Sequence, residues 1–190
     1  MVWLLLGLAG FLGLHSIRIF APRWREARIA AMGEGRWKGL YSLASIAFFA
    51  LIVWGYGQAR AAPILLWQPP AMLQHVGYLL VLVAFVLLVA AYVPRNHLKS
   101  RLRHPMVLGT KTWAFAHLLM SGWLHSVVLF AAFLAWAIAD FASARRRPQV
   151  ALPAPKASMT LLAVAVGVVA FVVFALYLHL PLIGVQPIAR

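Results

Sequence analysis

Residues 103–125 read RHPMVLGTKTWAFAHLLMSGWLH. The stretch is apolar enough for a lipid environment, yet it carries Lys111 and three histidines, His104, His117 and His125. Ionisable groups are expensive inside a bilayer, and those retained there face the bundle interior, pair with one another or mark a functional path. The rest of the chain decides the solvent. Of its 190 residues 64% are hydrophobic and 11% charged, and the mean hydropathy is +0.89. A water-soluble domain is about half apolar and about one-quarter charged. This chain has too little polar surface to cover a soluble particle, so it reads as an integral membrane protein.

The charge is lopsided. Seventeen Lys and Arg face three acids, Glu26, Glu34 and Asp140, for a net charge of +14. In a chain this apolar the basic residues set topology and touch anionic lipid head groups; nucleic acid is not the expected partner. Cysteine is absent, which removes disulfides, thiol catalysis and thiolate ligation of zinc or haem. The opening MVWLLLGLAGFLGLHSIRIF lacks a basic n-region and a clear cleavage site, so it reads as a retained first span.

Apolar runs near 2–20, 39–57, 72–93, 106–121, 123–141 and 158–179 have the length that a hydrocarbon core of about 30 Å demands. Ser121-Gly122 breaks the fourth from the fifth. Basic residues crowd alternate connections. Arg23, Arg25, Arg28, Arg36 and Lys38 lie in 21–38; Arg95, Lys99, Arg101 and Arg103 in 94–105; Arg145, Arg146, Arg147 and Lys156 in 142–157. The intervening 58–71 holds only Arg60, the turn at 122 has none, and the tail has only Arg190. The expected fold is therefore an all-α polytopic bundle of six transmembrane helices. By the positive-inside rule both termini are expected on the outer side of the membrane, with the basic loops in the cytoplasm. Segment 21–38 opens on Pro22 and mixes Trp24, Ile29 and Met32 with arginines, as a short interfacial helix does. We expect one domain over 1–190: a five-helix core (1–141), a proline-rich linker (148–156) and a sixth helix (158–179).

Depth separates the seven histidines. His75, His125 and His179 fall at outer span ends, His97 in a basic loop and His104 at the inner mouth of the fourth span. His15 lies about 20 Å below the outer boundary and His117 about 14 Å below it. These two are buried on different helices with no carboxylate at their level. Each could simply hydrogen-bond a neighbouring helix. Alternatively the pair are axial ligands of one haem iron, enclosed by the bundle; a bare copper or zinc ion would lack two ligands. Arg18 follows His15 by three positions and shares its face, where it can meet a haem propionate or snorkel to lipid phosphate. Lys111 shares a face with His104, not with His117; Lys111 and His104 are both candidate cofactor-binding residues, the alternative for Lys111 being to snorkel to lipid phosphate. Met106, Thr110 and Trp113 share the His117 face, as a pocket wall or as plain packing. No acid–base pair or Ser-His-Asp set assembles at one depth, so any chemistry would be carried by a cofactor.

LHSIR (14–18), GEGRWKGLYSLAS (33–45), VWGYGQAR (53–60), LWQPP (66–70), RHPMVLGTKTWAFAHLLMSG (103–122) and LIGVQP (182–187) resemble the NnrU family of bacterial membrane proteins over nearly the whole chain. That family is similar to 15-cis-zeta-carotene isomerase, a membrane haem b enzyme. The resemblance implies haem b ligated by the histidine of the HS-x-R motif, His15, and that of the W-x-x-AH motif, His117. His104 matches the histidine of RHP. Ala114 stands where the isomerases carry a cysteine, so ligand exchange through that thiol is closed here. The resemblance implies redox or cis–trans isomerase chemistry linked to denitrification, with a lipophilic polyene, a quinone or nitric oxide as partner. It equally allows a non-enzymatic factor for assembly or regulation of nitrite or nitric oxide reductases. A transporter would show an inverted repeat or paired broken helices, and neither is evident.

Overall fold

The computed structural model describes residues 1–149 and 151–187; Val150 of the linker and Arg190 lie outside them. The described chain is helical without a strand. Helix α1 (Val2–Phe20) leads into α2 (Pro22–Met32) and α3 (Glu34–Arg60); α4 (Ala71–Tyr92) and the short α5 (His97–Leu102) precede α6 (Pro105–Met120) and α7 (Leu124–Arg146). Next comes α8 (Ala157–Val173), which widens into a π-helical turn at Phe174–Leu178 and ends in α9 (His179–Ile183).

Five of these, α1, α3, α4, α7 and the continuous run Ala157–Ile183, are long and apolar enough to cross a membrane. The expected fourth span, α6, has 16 residues. At 1.5 Å per residue it is about 24 Å long, short of a hydrocarbon core of about 30 Å. The chain is thus a multi-pass membrane protein with five candidate spans and a shorter apolar helix between two of them. Its outer faces fit lipid contact: Leu43 and Ile46 are each 67% exposed, which water would penalise and acyl chains do not.

Helices α1 and α3 run in opposite directions: Trp3 meets Trp54 (ring centroids 5.3 Å) while His15 meets Tyr41 (5.4 Å). Small residues set these crossings. A Cβ on Gly7 would sit 2.8 Å from the Ile52 backbone nitrogen, and one on Gly167 2.6 Å from Val86 Cα. Such close approach maximises dispersion between helices that have no hydrophobic drive to associate in lipid. In sequence around the bundle, α3 packs on α1, α1 on α7, α7 on α6, α6 on α4 and α4 on α8.

The two ends differ in chemistry. At one, Leu66 N–H donates to Gly122 carbonyl (2.9 Å) and Leu124 N–H to Ile64 carbonyl (2.8 Å), strapping segment 61–70 across the α6–α7 turn. A Cβ on Gly122 would run into the Trp67 carbonyl, which is why the break expected at 121–122 carries glycine. Arg60 donates to the Ile183 and Gly184 carbonyls (2.8 and 3.0 Å), bringing the C-terminal helix to this same end. The opposite end gathers α2, α5 and the three basic connections. Segment 21–38 is helical there, as its Pro22 start predicts, and Trp24 and Trp37 pack edge to face (5.9 Å).

The linker is also held. Lys156 N–H donates to the Arg95 carbonyl (2.7 Å) and the Arg95 side chain donates to the Ala154 carbonyl (3.2 Å). Asn96, fully buried, caps α5 by accepting from Lys99 N–H (2.7 Å) while donating to the Ala90 and Val93 carbonyls.

Candidate functional site

Helix α7 is the measuring rod for the intramembrane histidines. Phe130, Phe133, Trp136 and Phe141 descend it towards the basic end. His117 on α6 stacks on Phe130 (4.4 Å, 26° between planes) and touches Trp113 (5.3 Å). His15 on α1 stacks on Phe11 (4.2 Å) and meets the edges of Tyr41 (5.4 Å) and Trp136 (6.0 Å). Phe133 links the two sides, 5.9 Å from Phe11 and 5.6 Å from Trp113. The two imidazoles therefore sit on α1 and α6 with the aromatic row of α7 joining them. The levels they touch on α7 differ by six residues, about 9 Å, against about 6 Å expected from span depth.

Helix directions follow from the same contacts. From Phe11–Phe133 to His15–Trp136 the numbers rise together, so α1 runs parallel to α7; His117–Phe130 and Lys111–Phe141 run oppositely, so α6 is antiparallel.

The two rings make the same local bond. Nδ1 of His15 is 2.7 Å from the Phe11 carbonyl and Nδ1 of His117 is 2.8 Å from the Trp113 carbonyl. A carbonyl only accepts, so each Nδ1 donates, and in the neutral imidazole that leaves the lone pair on Nε2. Neither Nε2 has a hydrogen-bond partner among the described residues. His75 makes the same bond to the carbonyl four residues back, Ala71, and His179 bonds forward to the Val185 carbonyl beyond its helix; both lie at the arginine-poor end. His125 is 5% exposed against Tyr56 (5.1 Å), whose hydroxyl bonds Ser126 (2.9 Å). Trp136 Nε1, beside His15, is buried without a partner.

The other residues singled out from the sequence lie closer to the basic end. Arg18 ends α1 in the electrostatic field of Arg147, Arg25 and Asp140, and Asp140 is bridged by Arg147 at 3.4 Å. Lys111 Nζ lies over the Phe141 ring (5.1 Å), with His104 at its edge (6.3 Å). Lys111 and His104 thus share one ring, as their common helix face predicts. His117 contacts α7 eleven residues away, about 16 Å along the axis. Of the Met106, Thr110 and Trp113 set, Trp113 touches His117, while Thr110 donates to the Met106 carbonyl (3.1 Å).

The residues that sequence reasoning missed are those of α7 itself. Phe130, Phe133, Trp136 and Phe141 fall at spacings of three and five, a helical stripe indistinguishable from core until the partners across it are known. No group of three or more His, Asp or Glu side chains among the described residues could hold a metal ion.

The family described as NnrU protein matches residues 3–187, nearly the whole chain. No curated protein and no solved structure matches it.

Proposed function

The chain belongs to the NnrU family, and from that premise we propose that it is a haem b-binding protein of the bacterial inner membrane, its basic loops cytoplasmic by the positive-inside rule. His15 and His117 would hold the haem iron. The observation that carries this reading is the shared ring state of the two imidazoles: each donates Nδ1–H to a carbonyl of its own helix and keeps Nε2 bare. Metal-ligating histidines have this arrangement, because the bond at one nitrogen selects the tautomer and orients the other towards the metal. The donor set fits haem better than a bare ion. Two imidazoles suffice when a macrocycle brings its own equatorial donors, whereas zinc or copper needs more side chains than the site offers.

The surrounding residues have definable tasks. Phe11 and Phe130 stack on the ligand rings and limit their rotation, which lowers the entropy lost when a ligand bond forms. Phe133 and Trp113 supply apolar, π-rich walls and exclude water. Arg18, on the His15 face and towards the basic end, is the counter-charge for a propionate. When bound, haem would supply one-electron chemistry, and it would offer a coordination position to a small gas or a conjugated double bond only when one of the two imidazoles left the iron. The chain itself has no acid–base pair at that depth, so its own contribution is ligation, exclusion of water and access from lipid. Redox or isomerase chemistry on a lipophilic or small gaseous ligand follows, linked by family resemblance to denitrification.

Absorption spectra of the purified protein, oxidised and reduced, test this. Wild type should show the Soret and visible bands of haem with two imidazole ligands. His15→Ala and His117→Ala should each lose that form. A protein that remains colourless after haem addition, or variants with unaltered spectra, would refute the ligand assignment and leave an assembly or regulatory factor as the reading. Adding nitric oxide or a cis-polyene to the reduced protein then separates gas binding from isomerisation.

A further inference from the structure

Three positive or proton-bearing groups converge on one aromatic ring at the basic end, with no acid to meet them. Lys111 Nζ lies 5.1 Å and the Arg145 guanidinium 5.9 Å from the Phe141 centroid. His104 stands at 6.3 Å, perpendicular to the same ring, and its Nε2 is buried with no hydrogen-bond partner. The acid next in sequence, Asp140, is taken by Arg147, and Glu34 is bridged to Lys38 at 2.8 Å.

Lys111 comes from more than one turn inside α6, and its side chain follows the N-terminal lean of that helix back towards His104. Snorkelling alone would send each cation to its own patch of interface. Here two cations share a ring, where mutual repulsion is unfavourable unless an anion joins them. A ring face stabilises a cation by only about 0.5–2 kcal/mol; it supplies neither negative charge nor an acceptor. Helix α6 adds to the field, since its positive end starts here at Pro105, and the first-turn N–H groups of Met106 and Val107 have no helical carbonyl to bond.

We propose that Lys111, Arg145 and His104 form an anion site for a phosphate group, either the phosphodiester of an anionic lipid or inorganic phosphate. The ammonium and guanidinium hold the oxygens by charge-assisted hydrogen bonds, and His104 supplies a further donor. Phe141 is the ring that both cations approach, at 5.1 and 5.9 Å. The site is independent of the haem reading, for it uses neither His15 nor His117.

The test is native mass spectrometry of the full-length protein from nanodiscs holding equal phosphatidylglycerol and phosphatidylcholine of identical acyl chains. Wild type should retain phosphatidylglycerol selectively. Lys111→Gln with Arg145→Gln should reduce that selectivity by about fivefold for each cation removed. Arg23→Gln with Arg36→Gln, two exposed cations of the same end outside the site, should leave it unchanged. In discs of phosphatidylcholine alone with radiolabelled inorganic phosphate, retention lost on the Lys111/Arg145 change would identify free phosphate as the source. His104→Phe keeps the ring and should weaken retention of the same anion. Lys111→Arg keeps the charge and should preserve it, which separates loss of the site from loss of the fold. If wild type retains neither anion, or the Arg23/Arg36 pair loses as much selectivity as the Lys111/Arg145 pair, the proposal is overturned.

Discussion

Gly55→Ala wedges apart the two helices that carry His15 and its neighbour Tyr41. The added Cβ would lie 2.7 Å from the Trp3 carbonyl carbon and 2.9 Å from Leu4 Cα, all backbone that no rotamer change can move. The Leu4 backbone nitrogen lies closer still, and ordinary contact begins at 3.4 Å, so α1 and α3 must separate by more than the 0.7 Å (3.4 − 2.7) that the Trp3 carbonyl carbon alone demands. Leu4 is fully buried at this crossing and Gly7 makes the reciprocal approach to Ile52 one turn along. Overpacking of this kind costs about 1–3 kcal/mol. Alanine's helix propensity returns about 1 kcal/mol relative to glycine, so the cleanest measure is a difference. Gly57→Ala, two residues on, places its Cβ in open space on the same helix and collects the same propensity gain. Unfolding in a denaturing-detergent titration should find Gly55→Ala less stable than Gly57→Ala by about 1–3 kcal/mol. Equal stabilities would mean that α1 and α3 do not meet at these glycines, and the placement of His15 against Tyr41 would fall with them.

Further expectations concern single side chains. Asn96→Ala removes a fully buried group with three hydrogen bonds and uncaps α5; it should destabilise by about 1–3 kcal/mol in the same titration, and a change below a few tenths would contradict the burial. Arg60→Gln forfeits the bonds to the Ile183 and Gly184 carbonyls, so hydrogen exchange over 179–187 should quicken while that over α4 stays unchanged. Phe133→Ala opens the row between Phe11 and Trp113, with an expected loss of about 2–4 kcal/mol for a partly buried phenylalanine and a broadened haem spectrum in the loaded protein. A sharp, unaltered spectrum would show that Phe133 does not stand between the two histidine walls.

The membrane class and some helix ends were readable because each depends on local chemistry; others were not, for α3 runs Glu34–Arg60 where 39–57 was expected and α7 continues to Arg146, past 141. Pro22 starts α2, Gly122 breaks α6 from α7, and runs of Leu, Val and Ala leave little choice of solvent. The number of full spans was not readable to the same degree. Segment 106–121 has a span's composition, yet its helix stops at Met120 with 16 residues, because the strap from Ile64 to Trp67 occupies the turn. Lys111 and His104 were correctly paired by heptad spacing. Arg145 and Phe141 were not, since they come from another helix and no period in one segment reports on its neighbour.

Hydropathy, the alternating basic loops and two histidines without a nearby acid belong to the sequence alone, because lipid selects composition and charge residue by residue. Which helices touch, that α1 and α6 flank α7 rather than each other, and that an aromatic row on α7 runs from His15 to His117 were decided only in three dimensions. Close packing between apolar helices depends on where small residues meet across the chain, and that meeting is a property of pairs, which no single stretch contains.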